Sequence, residues 1–337
     1  MKSVFVKALK IILPLSVGIY LLWFFFQQME ETQLEEFYKA IRNANYWWIF
    51  LSLVLSFVAF VIRAERWKLA LEPLGYETKF KNRYHSLMIG YIINMTIPRA
   101  GEASRSVMLH RSEKVPFAKS FGTIISERII DMVFLVSIAF LTYLLNIHNF
   151  GKIFDEIQTT FGINKDGSTK WIIYAVGLGL ALIGFAIYFF VPTLKQKINK
   201  FISELFSGLL SIFKMRKFGL YFLYSFLIWG LYVVYFYVCF LSISETSTIP
   251  FNTVLLAFIA GSLGIVFTNG GIGAFPLLIG IVIGITEQNT MPNAQAIGNA
   301  LGMIIWSFQT LLVILLGMTS LILLPKPYGK ELSTTNK

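Results

Sequence analysis

Apolar runs long enough to cross a lipid bilayer constrain this chain more than any other feature. A spanning helix needs about 20 apolar residues, within a range of roughly 17–25. Six runs meet this requirement: residues 9–26, 46–62, 121–147, 171–191, 218–243 and 298–324. Of the 337 residues, 56% are hydrophobic and 14% are charged, and the mean hydropathy is +0.67. The pattern predicts an all-α polytopic integral membrane protein with about six spanning helices, the first of them uncleaved.

Two further apolar segments are interrupted. Residues 84–97 are too short to span and are followed by Pro98, and residues 251–285 are broken at 268–276. Basic residues flank the first segment on both sides, so we predict a re-entrant hairpin. The second is either a hairpin from the opposite side or a pair of crossings. Interrupted segments in two halves of a chain indicate a transport site in an inverted repeat, although this repeat rests on hydropathy alone.

Lysine and arginine are concentrated in three connecting segments, residues 63–83, 99–119 and 195–217. The positive-inside rule places these segments and both termini in the cytoplasm of a cell-membrane protein. The formal charge of +11 therefore reflects topology and anionic headgroups rather than nucleic acid. The single Cys239 and three scattered histidines exclude the usual disulfide and metal patterns, so we expect no metal or cofactor.

Residues 94–105 carry charges directly beside the first interrupted segment. Pro98 disfavours helix before it, and Gly101 permits a tight turn. A helix beginning near Gly101 would place Glu102 in its first turn, while Arg99 and Arg105 could receive a phosphate as bidentate donors. The alternative is that both arginines are interfacial anchors. The candidate binding residues here are Asn94, Pro98, Arg99, Gly101, Glu102 and Arg105.

Three ionisable residues interrupt the apolar run at 121–147. Glu127 and Asp131 share a helix face, and Arg128 is spaced to pair with Asp131. Ionisable groups inside a span are expected to face the bundle interior. Their partners would include Arg99 or Arg105. They form either a structural ion-pair network or part of a headgroup or proton path.

The run at 46–62 is followed by Arg63, Arg66 and Trp67. These residues are either interfacial anchors or part of a binding site. The segment at 269–273 matches neither a dinucleotide fingerprint nor a P-loop. Its backbone could bind a polar headgroup, or it could be a flexible break between half-helices. The candidates in it are Asn269, Gly270, Gly271 and Gly273. Glycines at 280 and 284 and at 298 and 302 have the spacing of close helix packing.

These motifs resemble, in order, those of the membrane domain of lysylphosphatidylglycerol synthases. They are Arg63-x-x-Arg66-Trp67, residues 94–105, Glu127-Arg128-x-x-Asp131 and Gly270-Gly271-Ile272-Gly273. The resemblance covers nearly the whole chain and implies a lipid-translocating helical domain with re-entrant elements. It also strengthens the case for Arg63 and Arg66. Many members have proline before the late glycines and a glutamate after them, where this chain has Asn269 and Phe275-Pro276.

We therefore expect one flippase-like membrane domain over residues 1–325, with a short tail at 326–337. The expected function is a flippase or scramblase for an anionic or polyprenyl-linked lipid, without enzyme activity, because no soluble transferase domain follows. A lipid-binding accessory subunit and an integral-membrane lipid-modifying transferase are the alternatives. The expected partners are a membrane phospholipid or polyprenyl lipid, together with a second copy of the chain or a separate membrane enzyme, and no nucleic acid.

Overall fold

The computed structural model describes residues 31–97, 99–147, 215–268 and 270–324, with residues 151–152, 203–204, 206–207 and 210 in addition. The predicted spans at 9–26 and 171–191 lie outside these residues, as do Pro98, Asn269, the tail and most of the loop at 195–217. The described residues form nine α-helices and no strand. The helices are α1 Glu31–Asn43, α2 Tyr46–Leu71, α3 Phe80–Thr96, α4 Ala100–Glu113, α5 Phe117–Leu145, α6 Phe218–Phe240, α7 Phe251–Phe267, α8 Ala274–Thr286 and α9 Ala294–Leu323.

Four of these helices, α2, α5, α6 and α9, are long and apolar enough to cross a bilayer. A short 3₁₀ turn, Glu72–Leu74, extends α2. With 23 to 30 residues, the four helices measure roughly 35–45 Å at 1.5 Å per residue. They coincide with the four predicted spans that fall within the described residues. The polytopic all-helical prediction is therefore confirmed for this part of the chain.

Helices α3 and α4 form the first interrupted segment, and neither is long enough to span. The turn between them contains Arg99, which has a positive φ of 63°. The two helices cross at Gly90 and Gly101, where a Cβ on Gly101 would lie 2.1 Å from the carbonyl oxygen of Gly90. The prediction that Gly101 makes the turn is therefore wrong. Arg99 adopts the left-handed conformation, and Gly101 is glycine because the neighbouring backbone leaves no room for a side chain.

Helices α7 and α8, of 17 and 13 residues, form the second interrupted segment. Gly270, Gly271 and Gly273 take positive φ values at the break between them. The indole nitrogen of Trp306 donates a 2.8 Å hydrogen bond to the carbonyl of Gly270. Because Trp306 lies near the middle of the 30-residue α9, the break lies at mid-depth. The segment is therefore a hairpin rather than two crossings.

The two hairpins open toward opposite ends of the bundle. At one end, Asn252 of α7 donates a 3.1 Å bond to Asn146, which follows α5. At the other end, His85 of α3 lies 3.0 Å from Ser320 near the end of α9. The first hairpin therefore opens at the predicted cytoplasmic end, and the second at the predicted outer end.

The predicted glycine spacing on α8 and α9 corresponds to close packing of these two helices. A Cβ on Gly302 would lie 2.6 Å from the Cα of Pro276, and one on Gly298 would lie 3.0 Å from the Cα of Gly280. Close backbone approach of this kind is how membrane helices pack when the lipid supplies no hydrophobic driving force between them. This close packing holds α8, which forms one side of the second hairpin, against α9.

Candidate functional site

A cavity of about 560 Å³ lies where the tips of the two hairpins meet. Seven of the nine described helices contribute to its lining, namely α2, α3, α4, α6, α7, α8 and α9. From the first hairpin come Asn94, Arg99 and Glu102, and from the second come Thr268 and Gly270. The remaining lining includes Ser56, Phe60, Arg63, Tyr91, Met95, Tyr232, Tyr235, Ile265, Val266, Phe275, Ile305, Trp306, Gln309, Thr310 and Val313. The cavity is therefore mostly apolar and aromatic, with polar groups concentrated near the hairpin tips.

Asp131 organises the charges on one side of this cavity. Its carboxylate accepts a bond from Arg63 and a second one, of 2.9 Å, from Arg66. Arg63 also donates a 2.8 Å bond to the hydroxyl of Tyr232 on α6. Arg66 donates a 2.9 Å bond to Ser225 on the same helix. The Asp131 pairs thus join α5 to α2, and the bonds of the two arginines to Tyr232 and Ser225 extend the network to α6.

Arg66 and Trp67 are both fully buried, at 0% exposure. Interfacial anchoring is therefore wrong for this pair, because an anchoring side chain must reach the headgroup region. The indole of Trp67 donates a 2.9 Å bond to Thr123 on α5. The sequence predicted that the group Glu127, Arg128 and Asp131 pairs with Arg99 or Arg105, and the two α2 arginines that pair with Asp131 were not among the expected partners. Arg63 and Arg66 are three residues apart, which puts both on one helix face. This spacing was the sequence feature that could have indicated a shared partner.

Glu127 pairs with Arg105 of α4, with N···O distances of 2.7 and 3.2 Å. Glu127 is fully buried, and the guanidinium carbon of Arg105 lies 3.7 Å from the ring centroid of Trp67. Both terminal nitrogens of Arg105 are thus engaged by one carboxylate. Arg105 and Arg99 therefore do not form a bidentate phosphate clamp in this structure, and Glu127 does not line the cavity.

Arg128 differs from its neighbours because its side chain is 43% exposed, which contradicts the expectation that it faces the interior. It lies 3.8 Å from Glu102 and 4.0 Å from Asp131. Glu102 is in the first turn of α4, as predicted. Asn94 accepts a 2.6 Å bond from the backbone nitrogen of Gly101 and so ties the hairpin tip together.

Arg99 lies on the exposed tip of the first hairpin and lines the cavity. It has no ion-pair partner among the described residues. In the cavity lining and the ion pairs behind it, arginines outnumber carboxylates by two, and the charged residues that themselves line the cavity are Arg63, Arg99 and Glu102. The arginines are Arg63, Arg66, Arg99, Arg105 and Arg128, and the carboxylates are Glu102, Glu127 and Asp131. The site therefore has an uncompensated positive charge that suits an anionic ligand.

The predicted glycine segment contributes its backbone rather than a charge. Gly270 lines the cavity, and Gly271 and Gly273 shape the turn that precedes α8. Sequence reasoning missed the aromatic lining contributed by Tyr91, Tyr232, Tyr235, Phe275 and Trp306, because aromatic residues are frequent throughout this chain. In the described part of the chain, no cluster of histidine, cysteine and acidic residues could hold a metal ion.

The fold and the cavity together define a polytopic membrane protein in which two opposed re-entrant hairpins enclose a positively charged intramembrane site. The family described as lysylphosphatidylglycerol synthase TM region matches residues 11–320. The chain belongs to this family, and the resemblance inferred from its motifs is thereby confirmed.

Similar proteins come from archaea. The UPF0104 membrane protein MJ1595 of Methanocaldococcus jannaschii is 33% identical over 101 residues, which is 29% of this chain and 30% of that protein. The UPF0104 membrane protein PH1989 of Pyrococcus horikoshii is 26% identical over 289 residues, 79% of this chain and 83% of that protein. A UPF0104 membrane protein of Methanothermobacter thermautotrophicus is 26% identical over 110 residues, 32% of each chain. The first and third matches thus span less than a third of the relatives' length. No solved structure matches the chain.

Proposed function

We propose that this protein binds the headgroup of an anionic lipid in the cavity between the hairpin tips and moves it from one leaflet to the other. The observation that carries the proposal is Arg99, a cation at the hairpin tip that lines the cavity without an ion-pair partner among the described residues. An anionic phosphate is the ligand that a guanidinium at such a site favours. The headgroup would be a phosphate monoester or diester attached to a lipid tail.

The arrangement of the hairpins supports movement in addition to binding. Each hairpin brings polar groups from its own end to mid-depth, and both contribute to one cavity. A headgroup that enters along Arg99, Asn94 and Glu102 would therefore meet the polar backbone of the second hairpin without crossing bare hydrocarbon. The aromatic lining offers an apolar surface for the first carbons of the tail.

The test is lipid movement in phosphatidylcholine liposomes that contain the purified full-length protein. The liposomes contain a tail-labelled fluorescent anionic phospholipid, and an impermeant reductant added outside bleaches the label in the outer leaflet. Intact protein should expose the inner-leaflet label faster than empty liposomes do, and a labelled phosphatidylcholine should move more slowly. Excess inorganic phosphate should not block this movement, because the ligand includes the lipid tail.

The Arg99→Asn variant removes the charge and keeps a residue that tolerates a positive φ. It should slow movement of the anionic lipid about tenfold or more, since hydrogen bonds to charged groups are worth roughly 1.5–3 kcal/mol. Arg111→Asn is the matched control, because Arg111 is exposed on α4, the helix that follows Arg99, and is not part of the cavity lining. Binding without movement would favour the accessory-subunit function. The absence of both binding and movement would reject the proposal.

A further inference from the structure

The cavity has a second polar region that the arginines do not account for. Ser56 lines the cavity from α2 and is 1% exposed, and Gln309 lines it from α9. Among the described residues, neither the hydroxyl oxygen of Ser56 nor the amide nitrogen of Gln309 has a hydrogen-bond partner, although both atoms are buried. Buried polar groups in native proteins are almost always hydrogen-bonded, so this pair indicates a missing partner.

Ser56 on α2 and Gln309 on α9 line the same cavity, and contacts pack these two helices against each other. Tyr46, ten residues before Ser56, has its ring 5.6 Å from that of Phe308. Phe60, one turn after Ser56, belongs to a buried cluster against which Val313 packs. Ser56 lies between Tyr46 and Phe60 on α2, and Gln309 lies between Phe308 and Val313 on α9, so both belong to the stretches over which the two helices pack.

The neutral groups are separated from the charged groups along the direction of α2. Arg63 follows Ser56 by seven residues, about 10 Å along a helix, and the long arginine side chain can shorten that distance. A ligand that places its phosphate near Arg63 and Arg99 would thus have a neighbouring substituent within reach of Ser56 and Gln309.

The chemistry of these two groups limits what that substituent can be. A serine hydroxyl donates and accepts hydrogen bonds, and the amide nitrogen of glutamine donates. Neither group is charged, and most of the cavity lining is aromatic or aliphatic. A charged substituent would lack a counter-ion there, and an apolar one would leave both groups without a partner, which is costly. A hydroxyl group satisfies both.

We propose that Ser56 and Gln309 form a neutral subsite for a hydroxyl-bearing substituent on the lipid phosphate, such as a polyol or a sugar. This inference rests on the proposed function, because it concerns the same cavity. It makes the preferred ligand a phosphodiester with hydroxyl groups rather than a phosphate with an apolar ester. The ester carbonyls that occur in every phospholipid are the competing occupants of the subsite.

Two tail-labelled lipids with identical acyl chains and equal charge test the assignment. Phosphatidylglycerol carries two hydroxyl groups on its headgroup, and phosphatidylmethanol carries none. Binding of each lipid to the full-length protein is measured in neutral detergent micelles. Wild-type protein should bind phosphatidylglycerol about tenfold more tightly. Ser56→Ala and Gln309→Leu should each lower that preference about threefold to tenfold, as expected for one lost hydrogen bond.

The control variant is Ser137→Ala, an equivalent change at an exposed serine of α5 that does not line the cavity. It should leave the preference unchanged. Equal binding of the two lipids, with both weakened by Arg99→Asn, would overturn the neutral subsite and leave the proposed function intact. A preference that survives both cavity variants would also overturn it. If neither lipid binds, both proposals are rejected together.

Discussion

Asp131 is the residue on which the charged cluster depends most. Its carboxylate is the ion-pair partner of Arg63 and Arg66, and it is only 7% exposed. Without it, two guanidinium groups inside the bundle would lose their counter-ion. Replacing one partner of a buried pair is costly because the remaining charge stays in a medium of low dielectric constant.

We predict that Asp131→Ala destabilises the protein by roughly 3–5 kcal/mol, seen as a large fall in the midpoint of thermal unfolding in detergent. Glu36→Ala is the control, since its ion pair with Lys39 is exposed on α1, where such pairs contribute at most about 1 kcal/mol. Equal midpoints for the two variants would show that the Asp131 pairs add nothing to stability.

Individual charged residues were partly predictable from the sequence. The pairing of Arg128 with Asp131 follows from helix geometry alone, because the two residues are three positions apart on one helix. The pairs between helices were not predictable, since the sequence does not specify which helix packs against α5. Glu127 did receive one of the expected arginines, Arg105, whereas Asp131 received two from α2.

At the scale of helices, the first hairpin depends on a close crossing. Gly90 and Gly101 approach each other so closely that a Cβ on Gly101 would lie 2.1 Å from the Gly90 carbonyl oxygen. Backbone atoms cannot move aside as the end of a flexible side chain can. A side chain at Gly101 would therefore separate α3 from α4 and move Arg99 away from the cavity.

We predict that Gly101→Ala lowers the thermal midpoint by an amount corresponding to roughly 1–3 kcal/mol, the usual cost of overpacking. The matched control is Gly230→Ala in the interior of α6, where a Cβ would meet nothing within 4 Å. Because alanine favours helix over glycine, that change should be neutral or stabilising. The close crossing would be refuted if both variants unfolded at the wild-type temperature.

The first hairpin could be inferred from segment length and flanking charge, whereas for the second segment the sequence left a hairpin and two crossings open. The internal geometry of neither hairpin could be inferred. Proline and glycine at 98 and 101 indicated a break, but the left-handed residue is Arg99, and a non-glycine residue with positive φ gives little sequence signal. The position of the second break was likewise undetermined until the contact between Trp306 and Gly270 placed it near the middle of α9.

At the scale of the whole molecule, orientation in the membrane is a prediction from charge. In a Cys239→Ala background, an impermeant thiol reagent applied to intact cells should label a cysteine at Ser247. It should not label one at Ser112, which lies at the end of the first hairpin. Labelling at Ser112 but not at Ser247 would show that the topology is inverted. Labelling at both sites would contradict the re-entrant assignment.

Membership of the family over residues 11–320 could be inferred from the sequence because four motifs recur in the correct order. The cavity could not, because it is built from residues that are far apart in the chain. Ser56, Tyr232 and Gln309 carry no motif, and only the packing of α2, α6 and α9 brings them to one place.

The arginines around the cavity have an electrical consequence. Arg63, Arg66 and Arg105 are fixed by their ion pairs, so under the proposed function a headgroup that moves through the cavity would carry its own negative charge through the membrane field. Each unit charge that crosses completely gains or loses about 2.3 kcal/mol per 100 mV. With the cell interior negative, an anion leaves the inner leaflet downhill and returns uphill. The resting voltage alone would then bias such a carrier outward, and the bias would vanish when the voltage is collapsed.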